Sequence, residues 1–68
     1  ISNNTIRVES SQLIKEITVY DIAGKLINTY TLNEYKNQFT SPFNYANGVY
    51  IAKITLENNM VVSKKLIH

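Results

Sequence analysis

Apolar and polar residues alternate along much of this chain with the two-residue period of β-strands. The alternation is clearest in Thr5–Glu9 and Lys15–Tyr20, and it continues less regularly through Lys25–Leu32 and Tyr35–Thr40. Apolar residues do not recur at the spacing of a helix, and β-branched and aromatic residues are abundant. The pattern therefore predicts a chain built of strands, with Ile17, Val19 and Lys15 on one face of the second segment.

The last third of the chain predicts a β-hairpin. A long strand there is followed by the short turn Glu57–Asn59 and by a final strand that begins at Met60. Apolar residues occur on both faces of the final strand, so the pattern does not fix its register. One face of the long strand is wholly apolar and is formed by Tyr50, Ala52, Ile54 and Leu56.

Two glycines mark turns. Asp21-Ile22-Ala23-Gly24 predicts a type I turn, because the Asp21 side chain can accept the backbone NH two residues on and Gly24 tolerates positive φ. Gly48 follows Asn47 just before the long strand, where we also expect left-handed backbone. In the region from Asn33 to Ala46, the chain contains Pro42 and, from residue 39 onward, three bulky aromatic residues, at least two of which should pack inward. These are Phe39, Phe43 and Tyr45.

The elements together predict an all-β fold in a single domain, residues 1–68. Short antiparallel strands without a crossover helix favour a small immunoglobulin-like β-sandwich of about six to seven strands, with a small barrel as the alternative. The chain begins at Ile1 without a signal peptide, and we expect it to be a piece of a longer secreted protein. Leu26, Tyr30 and Leu32 should share one face of their strand.

Composition narrows the possible functions. Hydrophobic residues make up 44% of 68 residues, and no cysteine is present to form disulfides or thiolate metal sites. No segment approaches the roughly 20 apolar residues of a membrane-spanning helix. The net charge of +2 is spread along the chain, and only Lys64 and Lys65 are adjacent, which argues against a nucleic-acid interface.

The chain carries no pattern typical of an active site. His68 is the single histidine, and we expect it to be a solvated chain end rather than a metal ligand. The five acidic residues are dispersed, and neither Gly24 nor Gly48 belongs to a phosphate-binding motif. We therefore expect no catalytic residue, no metal site and no cofactor. Tyr20, Tyr30 and Tyr50 fit core or cross-strand positions better than a sugar-stacking row, although a carbohydrate-binding or structural module remains the alternative.

Three segments in order resemble a known family: Val19–Ile27, Asn47–Ile54 and the terminal Lys64–Ile67. They are similar to the "VYD-x-x-G-K/R-x-V" hairpin, the "GxY-x-x-K-I" strand and the final "K-K-hydrophobic-hydrophobic" segment of type IX secretion C-terminal sorting domains (Por secretion system, type A) from Bacteroidetes. Each segment alone is weakly specific, but three in order are fairly specific. In that family a further strand precedes the equivalent of Thr5, and we expect one ahead of Ile1.

The resemblance implies a non-catalytic C-terminal secretion signal that directs an N-terminally attached cargo through the type IX outer-membrane translocon. It implies shuttle and sortase-like partners, possible cleavage, and passage through the periplasm to the cell surface or medium. An exposed final strand and its basic-apolar tail suit strand addition by a receptor. The lysines alone could instead serve only to prevent aggregation. The implied recognition residues are Gly48, Tyr50, Lys64, Lys65, Leu66 and Ile67, with Asp21 and Gly24 forming a structural turn.

Overall fold

Residues 4–68 form one antiparallel sheet of four strands. The structure is a computed structural model that describes residues 4–68, so residues 1–3 and the strand expected ahead of Ile1 lie outside the described part. The strands are β1 (Thr5–Asp21), β2 (Leu26–Pro42), β3 (Val49–Leu56) and β4 (Val61–Ile67), in the spatial order β2-β1-β3-β4. The predicted all-β antiparallel class is confirmed.

The predicted number of six to seven strands is wrong. The segments Thr5–Glu9 and Lys15–Tyr20 both lie within β1, and Lys25–Leu32 and Tyr35–Thr40 fall almost wholly within β2. The polar residues between each pair of segments suggested a strand end. They instead form irregular stretches of continuous strands, with register shifts between Glu9 and Ile14 and again between Ile14 and Glu16. Bulges of this kind bend a strand without ending it.

The β1–β2 ribbon is bent. A straight strand of 17 residues would be about 56 Å long at the usual rise per residue. The longest dimension of the molecule is 31 Å. Two of the three register shifts lie near the middle of β1, and we place the bend there. Because of the bend, the two arms of β1 and the two arms of β2 correspond to four of the short strands that were predicted.

The core combines side chains from both arms of the bent β1 with those of β3. Ile6 and Val8 from the first arm belong to the same buried cluster as Ile17 and Val19 from the second. The core-facing residues are even-numbered in the first arm and odd-numbered in the second, because the bulged stretch between the arms shifts the alternation. Both arms therefore face the core. Ile14 rather than Lys15 is the buried residue where the second arm begins. The buried face of β3 consists, as expected, of Tyr50, Ala52, Ile54 and Leu56.

The sheet has a core face and an outer face, and one bulge changes how β2 contributes to them. Ile17 pairs with Tyr30, but Tyr20 pairs with Leu26, so Ile27 is an extra residue in β2. Residues directly opposite each other in a sheet share a face. Leu26 therefore lies with Tyr20 on the outer face, and the expectation that it shares a face with Tyr30 is wrong.

The two glycines differ in conformation. Gly24 has φ +87°, and Asp21 Oδ1 accepts the backbone NH groups of Ala23 and Lys25 at 2.9 Å, a geometry that closes the β1–β2 hairpin. Gly48 does not have positive φ, so the expected left-handed backbone there is wrong. Gly48 instead exchanges backbone hydrogen bonds with His68. A Cβ built on Gly48 meets no atom within 4 Å.

Candidate recognition surface

The β3–β4 hairpin brings the separate pieces of the predicted recognition set together. Tyr50 lies directly opposite Leu66, and Val49 lies opposite Ile67. Gly48 and His68 exchange both backbone hydrogen bonds, at 3.2 and 2.9 Å. Gly48 and Tyr50 thus hold the end of the chain in place. They act as positioning residues for the final segment rather than as its exposed part.

The turn between β3 and β4 sets the register that the sequence left open. Leu56 donates its backbone NH to the Met60 carbonyl at 2.8 Å, and Asn59 adopts φ +66°, a conformation that asparagine tolerates. The Asn59 side chain accepts a hydrogen bond from Lys15 Nζ at 2.6 Å. Pairing then runs without a register shift from Thr55 opposite Val61 to Val49 opposite Ile67.

This register decides which backbone groups of β4 face away from the sheet. In an antiparallel pair, opposite residues alternate between those that exchange hydrogen bonds and those that do not. Gly48 and His68 exchange them, so the even-numbered residues of β4 bond to β3. The backbone NH and C=O groups of the odd-numbered residues Val61, Ser63 and Lys65 therefore point to the open edge, because β3 is the only described strand beside β4.

The terminal basic and aliphatic side chains are largely exposed. Lys64 lies on the core-face side opposite Ala52, and Lys65 lies on the outer face opposite Ile51, yet both lysines are exposed. Ile67 is 65% exposed, whereas Leu66 is half-buried. Arg7 and Glu9 form the single ion pair within residues 4–68, so neither lysine is neutralised there.

His68 has a packing role that the sequence did not reveal. Its ring meets Phe43 edge-on, with ring centroids 5.5 Å apart, and Phe43 also packs on Tyr50 at 5.1 Å and Tyr45 at 4.8 Å. The expectation of a solvated chain end is therefore wrong. A lone terminal histidine carries no pattern signal, and only the register of β4 places it over Phe43. The Tyr50 hydroxyl donates to the Ala46 carbonyl and ties down the loop before β3.

Two of the acidic side chains take part in structural contacts. Residues 4–68 contain no group of three or more His, Cys, Asp or Glu side chains that could hold a metal ion. Asp21 accepts backbone hydrogen bonds in its turn, and Glu9 pairs with Arg7. The same part of the chain contains no helix long and apolar enough to cross a bilayer.

Tyr20, Tyr30 and Tyr50 do not form an exposed row, and the exposed tyrosines of residues 4–68 are Tyr35 in β2 and Tyr45 in the loop before β3. Tyr50 is buried, and Tyr20 is half-buried with the Lys53 ammonium 5.3 Å from its ring centre. Tyr30 packs on Phe39 with centroids 5.0 Å apart, and burial raises the pKa of its phenol. The Tyr30 hydroxyl is buried without a hydrogen-bond partner among the described residues. A separate open groove runs along the bend of β2, with Leu32 and Phe39 among polar side chains.

The fold and this surface define a small all-β domain that presents a lysine-bearing edge strand. The whole chain, residues 1–68, matches the family model described as "Domain of unknown function (DUF8694)". The chain belongs to that family. No curated protein matches it.

Proposed function

We propose that this domain is a non-catalytic C-terminal sorting signal that directs an attached cargo through the type IX outer-membrane translocon. The observation that carries the proposal is the geometry of β4, an unbroken edge strand with exposed Lys64 and Lys65. Shuttle or sortase-like proteins would read this edge, and cleavage can follow. The domain would pass through the periplasm with its cargo and reach the cell surface or the medium.

We propose that the receptor recognises β4 by strand addition. A receptor strand that pairs with the outward backbone groups of Val61, Ser63 and Lys65 gains main-chain hydrogen bonds, while its side chains meet those of β4. The alternating side chains would place Lys65 and Ile67 on one side of the added strand and Lys64 on the other. Acidic residues on the receptor would complement the lysines, which contribute specificity and association rate more than affinity.

We also propose that the bent sheet works as a reduced immunoglobulin-like sandwich, in which the two arms of the β1–β2 ribbon take the place of separate strands. Support comes from the buried cluster, which contains Ile6 and Val8 of one arm with Ile17 and Val19 of the other. Such a closed core would keep the domain folded while its last strand remains available.

The sorting function is tested by charge reversal in β4. A reporter cargo fused ahead of residue 1 is expressed in a Bacteroidetes host with type IX secretion, with the domain carrying Lys64→Glu and Lys65→Glu. Reversal keeps the hairpin, whereas deleting residues 64–68 would also remove the His68–Phe43 contact. We expect the cargo to remain in the periplasm, with secretion lowered about ten-fold, equivalent to about 1.4 kcal/mol of lost recognition.

The matched control is charge reversal at exposed lysines elsewhere, Lys25→Glu with Lys36→Glu, which gives the same change in net charge. This control should be secreted normally. Equal thermal unfolding of both variants would show that the fold is retained. Normal secretion of the β4 variant would refute the sorting proposal.

A carbohydrate-binding module is the second candidate function, and the groove along β2 is the observation that favours it. Phe39 and Leu32 lie there beside amide and carboxyl side chains, a combination that suits sugar rings and their hydroxyls. The groove is lined by Thr31, Leu32, Asn33, Glu34, Lys36, Gln38, Phe39 and Thr40. Calorimetric titration with soluble polysaccharides tests this candidate. Heat released by binding of one polysaccharide, and abolished by Gln38→Ala, would favour carbohydrate binding over the sorting function.

A further inference from the structure

Exposed apolar side chains gather at one end of the outer face. Ile22 in the first turn is 80% exposed, Leu26 at the start of β2 is 54% exposed, and Ile67 at the end of β4 is 65% exposed. These three belong to separate strands or turns, yet the sheet places them at the same end. Exposed apolar groups that lie together indicate an interaction site more strongly than scattered ones do.

Half-buried residues connect these positions across the sheet. Tyr20 in β1 lies between Leu26 of β2 and Ile51 of β3, and Ile67 lies opposite Val49, which precedes Ile51 by two residues and shares its face. The chain therefore presents a continuous apolar strip on the outer face. We call it the outer-face patch, and its residues are Tyr20, Ile22, Leu26, Val49, Ile51 and Ile67.

The outer-face patch contains a groove with positive charge beside it. The groove encloses about 300 Å³ and is lined by Tyr20, Ile22, Ile51 and Lys53 together with the turn at Asp21 and Gly24. Lys65 lies on the same face next to Ile51. The Asp21 Oδ1 at the groove already accepts two backbone NH groups, and Glu16, which shares the outer face, accepts a hydrogen bond from the Thr31 hydroxyl. Lys53 and Lys65 are thus left without an acidic partner among residues 4–68.

We propose that the outer-face patch docks a partner protein segment that carries aliphatic side chains beside carboxylates. The groove has room for apolar side chains, and the two lysines complement acids next to them. A second copy of this chain fits less well, because symmetric contact through this patch would bring lysines of both copies together. This docking surface uses the face of the sheet and not the open backbone edge of β4, although it shares Lys65 and Ile67 with the segment proposed for sorting.

The direct test is a titration of the isotopically labelled domain followed by NMR. The probe is a short peptide of alternating leucine and glutamate, compared with a twin peptide in which lysine replaces glutamate. We expect the acidic peptide to shift amide signals of 20–26, 49–53 and 65–67. The lysine twin should bind about ten-fold more weakly, because it meets Lys53 and Lys65 with like charge.

Two variants with matched controls locate the binding. Ile22→Ser should weaken the acidic peptide about ten-fold, whereas Met60→Ser, which changes a comparably exposed apolar residue at the other end of the sheet, should not. Lys53→Gln should weaken binding of the acidic peptide more than Lys36→Gln does, although both changes remove one positive charge. Unaltered thermal unfolding of each variant would confirm that the loss is local.

Several results would overturn the proposal. Signal shifts confined to Val61–Lys65 would mean that the peptide adds to the β4 edge and does not use the outer face. Equal binding of the two peptides would show that Lys53 and Lys65 do not select an acidic partner. The absence of shifts with either peptide would show that the outer-face patch does not bind such a segment. Concentration-dependent dimerisation abolished by Ile22→Ser would assign the patch to a second copy. Binding to phosphatidylglycerol vesicles lost in the same variant would assign it to a lipid surface.

Discussion

The two edge strands of this sheet are protected in different ways. β2 pairs with β1 through three register shifts and bends over its 17 residues. β4 pairs with β3 over seven consecutive residues without a shift. A bent and bulged edge is a poor template for another strand, whereas a straight edge must be guarded by other means, and exposed lysines are one of them.

Under the proposed sorting function, this difference would account for recognition of β4 and not of β2. The irregular shape of β2 obstructs strand pairing with any partner. The lysines of β4 repel a second copy of the same chain but attract an acidic receptor. The lysines therefore protect β4 against pairing with another copy, and a partner with acidic side chains would neutralise that protection. The following predictions test the comparison, from the largest effect to the smallest.

Phe43→Ala should have the largest effect on stability, because Phe43 joins the ends of both edge strands. Its ring is fully buried, lies just beyond β2 and packs on His68 just beyond β4. We expect a loss of about 3–5 kcal/mol in the free energy of unfolding, measured by urea denaturation. Phe39→Ala, at a half-buried position in β2, should lose clearly less. Equal losses would show that Phe43 does not link the two edges.

Proline substitution distinguishes the inward and outward backbone groups of β4. Lys64→Pro removes an NH that bonds to β3 and should cost about 3 kcal/mol. Ser63→Pro removes an NH that faces the open edge, and we expect it to cost under about 1 kcal/mol. Thermal unfolding of the two variants measures the difference. The reverse order would mean that the alternation assigned to β4 is wrong.

Alanine at the two glycines should have opposite effects. Gly24→Ala places a Cβ at φ +87° and should destabilise the first hairpin by about 1–2 kcal/mol. Gly48→Ala meets no atom and no positive φ, so we expect no loss and a gain of at most about 1 kcal/mol. Urea denaturation of both variants measures this. A large loss at Gly48 would show that its pairing with His68 requires glycine.

Tyr30→Phe should have a small effect at neutral pH and a distinct effect in alkali. Burial raises the pKa of Tyr30 in the folded state, so the phenol ionises more readily when the chain is unfolded. The contribution of Tyr30 is therefore fully present below the unfolded pKa and is lost as pH rises through the folded pKa. Thermal unfolding across the alkaline range should show a smaller loss of stability in Tyr30→Phe. An identical pH dependence would contradict the assigned burial.

Much of the fold follows from local patterns in the sequence. The alternation in Thr5–Glu9 and Lys15–Tyr20 located the strand segments, and the apolar face of β3 was apparent from its two-residue period. The continuity of β1 could not be predicted, because the polar residues between its arms resemble a loop. Their place in a strand depends on pairing with β2, a contact that is distant in sequence.

The sequence suggested the residues that we propose for recognition but not how they lie relative to one another. The motif order suggested Gly48, Tyr50 and the terminal segment together. Only the register of β4 shows that Gly48 and Tyr50 position the segment while Lys64 and Lys65 are presented. The register depends on the turn at Asn59 and on the bond between Leu56 and Met60, whereas the apolar residues on both faces of β4 allow either choice.

Secretion of a reporter cargo fused to the Ser63→Pro domain tests the central claim most directly. This change keeps the lysines and the bonds to β3 but removes an outward NH from the middle of the open edge. If a receptor adds a strand to β4, the folded variant should leave its cargo in the periplasm, while a Ser63→Ala control is secreted. Secretion of the proline variant at the level of the control would contradict the reading of β4 as the recognised edge.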